Sequence, residues 1–377
     1  MSIGKRLVLF TLLFAMMSFM LLGIIPRRLV PEYGISAVKG VDLSDPDTLT
    51  ADGARQTVGS RDAETEHHRG EYARGRVPLP LTAVTARQAD FVGIVTSDDV
   101  FVLPTGSYHE IGQTMVAGED RETGVLTVLH HSGETVEYPD ASRVVLFDSD
   151  ILLLRDDGRQ IADLSRGSDA ALRWTSVPAA ITAAVSIEDR VIVGDAIGRV
   201  SAYSEGEWLW SFEMPGSDHP TVVALGAGQD HERLYAVGGV EPTSIARFDI
   251  ESGDPALMAL EALDVDLRSP AHLLVSRDGP IVGSGERIQV YGTDLDTRAS
   301  VEVNGSVETL GFTEEKNLIY VLVSVGDRHR LEFRYADTLE RMYTIDFADP
   351  LHSSQSSDSY YAFGTADRVL LYSEYRP

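Results

Sequence analysis

Apolar residues along this chain fall into two textures. From Leu7 to Ile25 they run as LVLFTLLFAMMSFMLLGII, uncharged and broken only by Thr11, Ser18 and Gly23. From about residue 87 they come instead in runs of four to seven, rich in Val, Ile, Leu, Tyr and Phe, with Gly and Asp turns between. Phe91–Val95, Val100–Leu103, Val125–Leu129, Arg143–Phe147, Leu234–Val237, Leu318–Val323 and Val369–Tyr372 are examples. No segment after the first run carries a helical stripe, so these runs predict strands. Turns at Ser97-Asp98-Asp99, Asp156-Asp157-Gly158 and Arg277-Asp278-Gly279 join many of them as hairpins.

One phrase occurs twice, forty residues apart. Asp150-Ile-Leu-Leu-Leu-Arg-Asp-Asp-Gly158-Arg-Gln-Ile-Ala162 aligns without a gap on Arg190-Val-Ile-Val-Gly-Asp-Ala-Ile-Gly198-Arg-Val-Ser-Ala202. A repeat of about 40 residues built from short antiparallel strands predicts a propeller blade. Strand-turn-strand units start near 88, 115, 141, 180, 220, 266, 305 and 350. Dividing the region by about 40 residues per blade gives an all-β propeller of about seven blades, with six or eight as neighbouring solutions. The short last unit, Tyr360 to Ser373, is expected to pair with strands near Leu79 to Val95 and so close the ring.

The first apolar run is long enough to cross a bilayer. Its nineteen residues span roughly 28 Å as a helix. Gly23-Ile24-Ile25-Pro26 offers no small-x-small cleavage site, so a retained anchor is expected, with release by cleavage near residue 25 as the competing outcome. Lys5 and Arg6 on one side and Arg27 and Arg28 on the other leave the charge rule nearly balanced. The short N-terminal tail is placed inside, which puts the remainder outside the cell. Between anchor and strands the sequence is polar and without period, as in Gly59-Ser-Arg-Asp-Ala-Glu-Thr-Glu-His-His-Arg-Gly70. Such a stretch buries too little surface to offset the cost of ordering. The expected organisation is therefore an anchor over residues 1–28, a disordered acidic and polar stalk over 29–86, and a propeller over 87–377.

Charge narrows the setting. The chain has 58 acidic and 32 basic residues, a formal charge of −26, and lysine only at Lys5, Lys39 and Lys316. Nucleic acid is excluded as a partner, because phosphate neutralisation needs a basic surface. Surplus carboxylate with little lysine is the surface of a halophilic protein, whose self-repulsion molar salt screens to a Debye length of about 3 Å. The absence of cysteine excludes a disulfide framework, thiol catalysis and a lipidated N-terminal cysteine.

The segment from Val191 to Glu213 resembles the repeat of PQQ-like propellers, which runs strand, Gly-x-x-x-Gly, strand, Ala-x-Asp, Thr-Gly and Trp. Gly194, Gly198, Ala202, Gly206 and Trp210 follow that order, while Ser204 replaces the Asp. The preceding unit keeps Gly158, Ala162, Gly167 and Trp174, and Arg247 to Gly253 restores the Asp and Gly without a Trp. The resemblance implies that Trp174 and Trp210 dock between neighbouring blades. It does not imply the quinone, because the quinoprotein enzymes hold it with a disulfide and this chain has no cysteine. The non-catalytic branch is the nearer comparison: membrane-tethered propellers that act as scaffolds in envelope protein assembly.

No constellation of catalytic residues emerges. Gly283-Ser284-Gly285 has the wrong spacing for a nucleophile elbow, His109-Glu110 lacks the second zinc-binding His, and Gly226-Ala-Gly228 precedes no helix. His67-His68 lies in the stalk, and His130-His131 ends a strand where alternation parts the rings. Asp148-Ser-Asp150 and Asp156-Asp157 read as solvated turns rather than a calcium site. The sequence therefore designates no catalytic, cofactor-binding or metal residues and no cofactor. It predicts a cell-membrane, single-pass, extracytoplasmic binding or scaffold module for another envelope protein or a surface glycan. A lyase or hydrolase with its site in the central funnel is the alternative.

Overall fold

The computed structural model describes residues 34–42 and, with short gaps, 82–375; side chains are described largely between residues 115 and 351. Eight antiparallel sheets follow one another along these residues. Six are four-stranded meanders of consecutive strands: blades 2 to 7, spanning residues 109–138, 143–176, 181–213, 219–262, 271–302 and 306–347. Blade 1 contributes Thr82–Thr85, Phe91–Val95 and Val100–Pro104. Blade 8 contributes Ser353–Ser357, Tyr360–Gly364 and Arg368–Tyr375. First strands of successive blades touch one another, so each blade's first strand is innermost and its last is outermost.

Strand alternation explains why the apolar runs are continuous. Both faces of every inner sheet are buried, each against a different neighbour. In blade 3, Ile151 and Leu153 pack on Ala117 and Val128 of blade 2, whereas Leu152 and Leu154 pack on Val191 and Val193 of blade 4. In blade 4, Ile192, Ala202 and Trp210 then meet Val222, Ala236 and Phe248 of blade 5. The pattern continues with Tyr235 and Val237 on Tyr291, Ile281 and Ile288 on Val321, and Leu331 and Phe333 on Phe363. The hydrophobic core is thus divided into wedges between blades rather than gathered in one centre.

The repeated phrase is the middle hairpin of blades 3 and 4. Gly158 and Gly198 close equivalent turns, donating to Arg155 O and Asp195 O at 3.1 Å, with φ of 79° and 85°. Each turn abuts the strand that opens the next blade, at Ile181 and at Pro220.

Ring closure differs from expectation. Blade 8 is completed by Gly34–Asp42, antiparallel to Arg368–Tyr375 with a shift between Ala37 and Lys39, rather than by residues 79–95. Thr82–Thr85 instead opens blade 1 and lies against blade 8. Two segments of the expected stalk are therefore strands. No local period reveals the first, because its partner lies at the opposite end of the chain. The predicted anchor, Leu7 to Ile25, and the rest of the expected stalk lie outside the described residues. Among the described residues no helix is long and apolar enough to cross a membrane.

Candidate protein-binding surface

The outer strands share a built-in irregularity. In blades 4 to 7 the pairing of third and outer strands slips by one residue, after Ala202, Arg247, Val290 and Phe333 respectively. The bulged residues are Leu209, Met258, Arg298 and Met342. A bulge at a sheet edge interrupts its regular pairing groups and so discourages unwanted strand addition.

Charge guards the same edges. Three residues before the slip, Arg199, Arg287 and Arg330 face Glu213, Glu302 and Asp346 across the strand pair, at 3.1, 3.0 and 2.7 Å. Blade 5 departs from this rule, with Ser244 opposite Ala262.

Blades 4 and 5 also display the large apolar side chains. Trp208 is 60% exposed and Leu209 43%, both on the outer strand Glu207–Glu213. Leu257, Met258 and Leu260 are 40%, 54% and 43% exposed on the outer strand Ala256–Ala262. These five residues stand on two consecutive blades of a protein whose surface is otherwise dominated by carboxylates. Ile197 and Val240 add exposed apolar side chains near the hairpin turns of the same blades.

The axial strands carry a different chemistry. Thr182 lies in the slip between Ile181 and Ala183 and donates to Gly194 O at 3.2 Å and Val222 O at 2.5 Å, tying blade 4 to blade 5. Ser142 repeats the first of these bonds in blade 3, donating to Leu154 O at 3.2 Å. Blade 7 places Glu308 at the corresponding position, in the slip between Val307 and Thr309, and blade 6 pairs His272 with Gly283 on its axial strand. Burial lowers the His272 pKa, and the Glu308 carboxylate opposes that shift. Glu110, on the inner strand of blade 2, has its pKa raised by burial against the opposing pull of Arg143. Among the described residues no three His, Asp or Glu gather as metal ligands.

The motifs singled out in the sequence take ordinary structural places. Trp210 is 4% exposed in the wedge between blades 4 and 5. Trp174 packs partly buried between blades 2 and 3, with the Arg155 guanidinium 4.2 Å above its ring. Asp150 is buried and accepts from Ser186 Oγ at 3.0 Å, while Asp156 and Asp157 form an exposed turn at positive φ. Gly283 and Ser284 end a strand before the Gly285 turn, and Gly226 and Gly228 flank the end of another. His109 and Glu110 lie on one inner strand and His130 ends another strand; His67, His68 and His131 lie outside the described residues.

The exposed residues themselves carry no local signal in the sequence. In Glu207-Trp-Leu-Trp-Ser-Phe, strict alternation assigns Trp208 and Trp210 to one face. The bulge at Leu209 breaks that parity, burying Trp210 and exposing Trp208. Ala256 to Leu260 reads as a buried run, and only its terminal place in blade 5 exposes it.

Radial four-stranded sheets closed by a strand from the other terminus define a β-propeller. A family model described as beta-propeller protein matches residues 121–361, well over half of the chain, and the chain belongs to that family. No curated protein matches the sequence. Among solved structures, BamB from Moraxella catarrhalis is similar over 90% of this chain and 98% of its own, at 15% identity and a TM-score of 0.55. A chain of the mitotic checkpoint complex is similar over 83% of this chain and 97% of its own, at 11% identity and a TM-score of 0.55. At these identities the likeness is one of fold.

Proposed function

We propose that this chain is a scaffold of the PQQ-like, non-catalytic type, held at the cell membrane by Leu7 to Ile25 with its propeller outside, and that it binds another envelope protein. The observation that carries this reading is the exposure of Trp208, Leu209, Leu257, Met258 and Leu260 on the outer strands of two consecutive blades. Exposed apolar residues grouped on a charged surface mark sites of association, and aromatic residues among them supply the anchors of protein interfaces. A protein partner suits side chains such as Leu257 and Met258 better than a glycan, which offers mainly hydroxyl groups. One of the solved neighbours is, by its title, part of a complex. The domain acts by binding, without a quinone or other cofactor.

Affinity capture of the full chain from membranes in molar salt tests the reading. A stoichiometric protein should be recovered with the wild type and lost with Trp208→Glu or Met258→Glu. Recovery of no partner, together with turnover of a sugar or ester substrate, would sink it in favour of the funnel enzyme.

A further inference from the structure

The outer strand of blade 5, Ala256–Ala262, departs from its counterparts in three ways. Six of its seven residues are exposed and Ala259 is half-buried, so both faces of the strand are open. The corresponding strands of blades 4, 6 and 7 each keep at least two residues buried or half-buried. The Arg–carboxylate pair that brackets those three strands is missing here, replaced by Ser244 opposite Ala262. The strand also has no charged residue from Ala256 to Leu260, and Glu261 is its one charge. Its bulge at Met258 lies toward one end, leaving Ala259 to Ala262 in regular register with Ser244 to Arg247. Among the described residues no strand pairs with its outer edge.

Proteins ordinarily guard sheet edges with charge, proline or distortion; here the distortion is confined to Met258 and the charge to Glu261, and the regular stretch Ala259–Ala262 with both faces open is what strand addition requires. From these features we infer that blade 5 binds its partner by accepting an extended segment as a fifth strand along Ala256–Ala262. This rests on the binding function proposed above and specifies its mode. The segment's chemistry follows from the site: alternating apolar residues to cover Leu257, Met258 and Leu260, and Lys or Arg at its ends to meet Glu261 and the surrounding negative charge. A second copy of this chain is disfavoured as the occupant, since each copy carries −26. Main-chain hydrogen bonds would give affinity, and the side chains on the two faces would give specificity.

The test uses the intact chain and a synthetic peptide of alternating valine and threonine with two lysines at each end. Amide hydrogen exchange should slow at least tenfold across residues 256–262 on peptide addition. The same peptide N-methylated at alternate residues should give no protection, and a glutamate-flanked version should bind at least tenfold more weakly at 0.1 M salt. Leu260→Glu, at an exposed position, should abolish the protection without changing the unfolding temperature. The inference is overturned by absent protection at millimolar peptide, by equal protection from the N-methylated peptide, or by a dimer whose 256–262 amides are protected without peptide. If protection fails while Trp208→Glu still abolishes capture of a native partner, the scaffold stands and strand addition falls.

Discussion

Glu332 and Arg334, two residues apart on one strand of blade 7, form an ion pair sealed from solvent. Arg334 donates to one Glu332 carboxylate oxygen through Nε at 2.9 Å and Nη2 at 2.5 Å, and through Nη1 to Leu339 O at 2.6 Å. The side chains are 7% and 2% exposed, and Arg341 approaches the second carboxylate oxygen at 3.6 Å. Alternation explains the position: Leu331 and Phe333 turn to blade 8, so Glu332 and Arg334 turn to the opposite face. Glu332→Ala strands a buried guanidinium and should cost about 3–5 kcal/mol, while Glu332→Leu with Arg334→Met should cost far less. Denaturant midpoints of the three proteins check this, and equal losses in the single and double variants would refute it.

Gly198 provides a second test, at the joint between blades 4 and 5. Its φ is 85°, and a Cβ there would lie 2.4 Å from both the Cβ and the carbonyl oxygen of Pro220. Backbone strain alone is worth about 1–3 kcal/mol for a non-glycine residue, and the Pro220 main chain cannot swing aside as a flexible side chain would. Gly198→Ala should therefore lower the unfolding temperature clearly. Gly158→Ala, whose Cβ would meet Ile181 N at 3.3 Å, should be milder. Thermal melts that ranked the two in the opposite order would contradict this account of the joint.

Much of the architecture was legible in these residues, and the exceptions share a cause. The echo from Asp150 to Ala202 marked two successive blades, and the eight unit starts each fall at or near a sheet. Dividing by a fixed 40 residues gave about seven, because most blades are shorter than that repeat, blades 1 and 8 above all, and blade 8 draws its last strand from Gly34–Asp42, outside the divided region. The strand Gly34–Asp42 was hidden because its pairing with Arg368–Tyr375 spans almost the whole chain. The exposed surface was hidden because bulges reset strand parity and because a run such as Ala256 to Leu260 looks the same in an inner or an outer strand. Local pattern records alternation; which strand ends a blade is a property of the assembled ring.

Alkaline unfolding should reveal Tyr291. Burial, with help from Glu261 and Asp264, pushes its pKa from 10 up to about 12, and its hydroxyl is buried without a hydrogen-bond partner among the described residues. The folded protein keeps a proton that the unfolded chain releases above pH 10. The associated stability is complete below pH 10 and declines as pH rises toward 12, by roughly 2 kcal/mol after allowance for screening. Tyr291→Phe removes this decline, and removal of the unpaired hydroxyl should add about 1 kcal/mol at neutral pH. Unfolding temperatures from pH 8 to 12 should therefore fall less steeply in the variant than in the wild type; parallel curves would show that Tyr291 does not titrate as described.

Salt dependence tests the reading of the charge itself. At −26, with 58 carboxylates against 32 basic residues, the folded domain repels itself wherever the Debye length exceeds the spacing of its charges. That length is about 3 Å at 1 M and about 10 Å at 0.1 M. The Arg–carboxylate pairs on the outer strands, such as Arg199–Glu213 and Arg330–Asp346, oppose this repulsion but are weakened by the same screening. With so few cations the repulsive term dominates, so the unfolding temperature should rise steadily from 0.1 M to at least 2 M KCl. Replacing exposed carboxylates with their amides at Glu137, Glu205 and Glu340 should recover part of that gain at 0.1 M. A melting temperature that stays level or falls between 0.1 and 2 M would show that the acidic surface is no adaptation to salt.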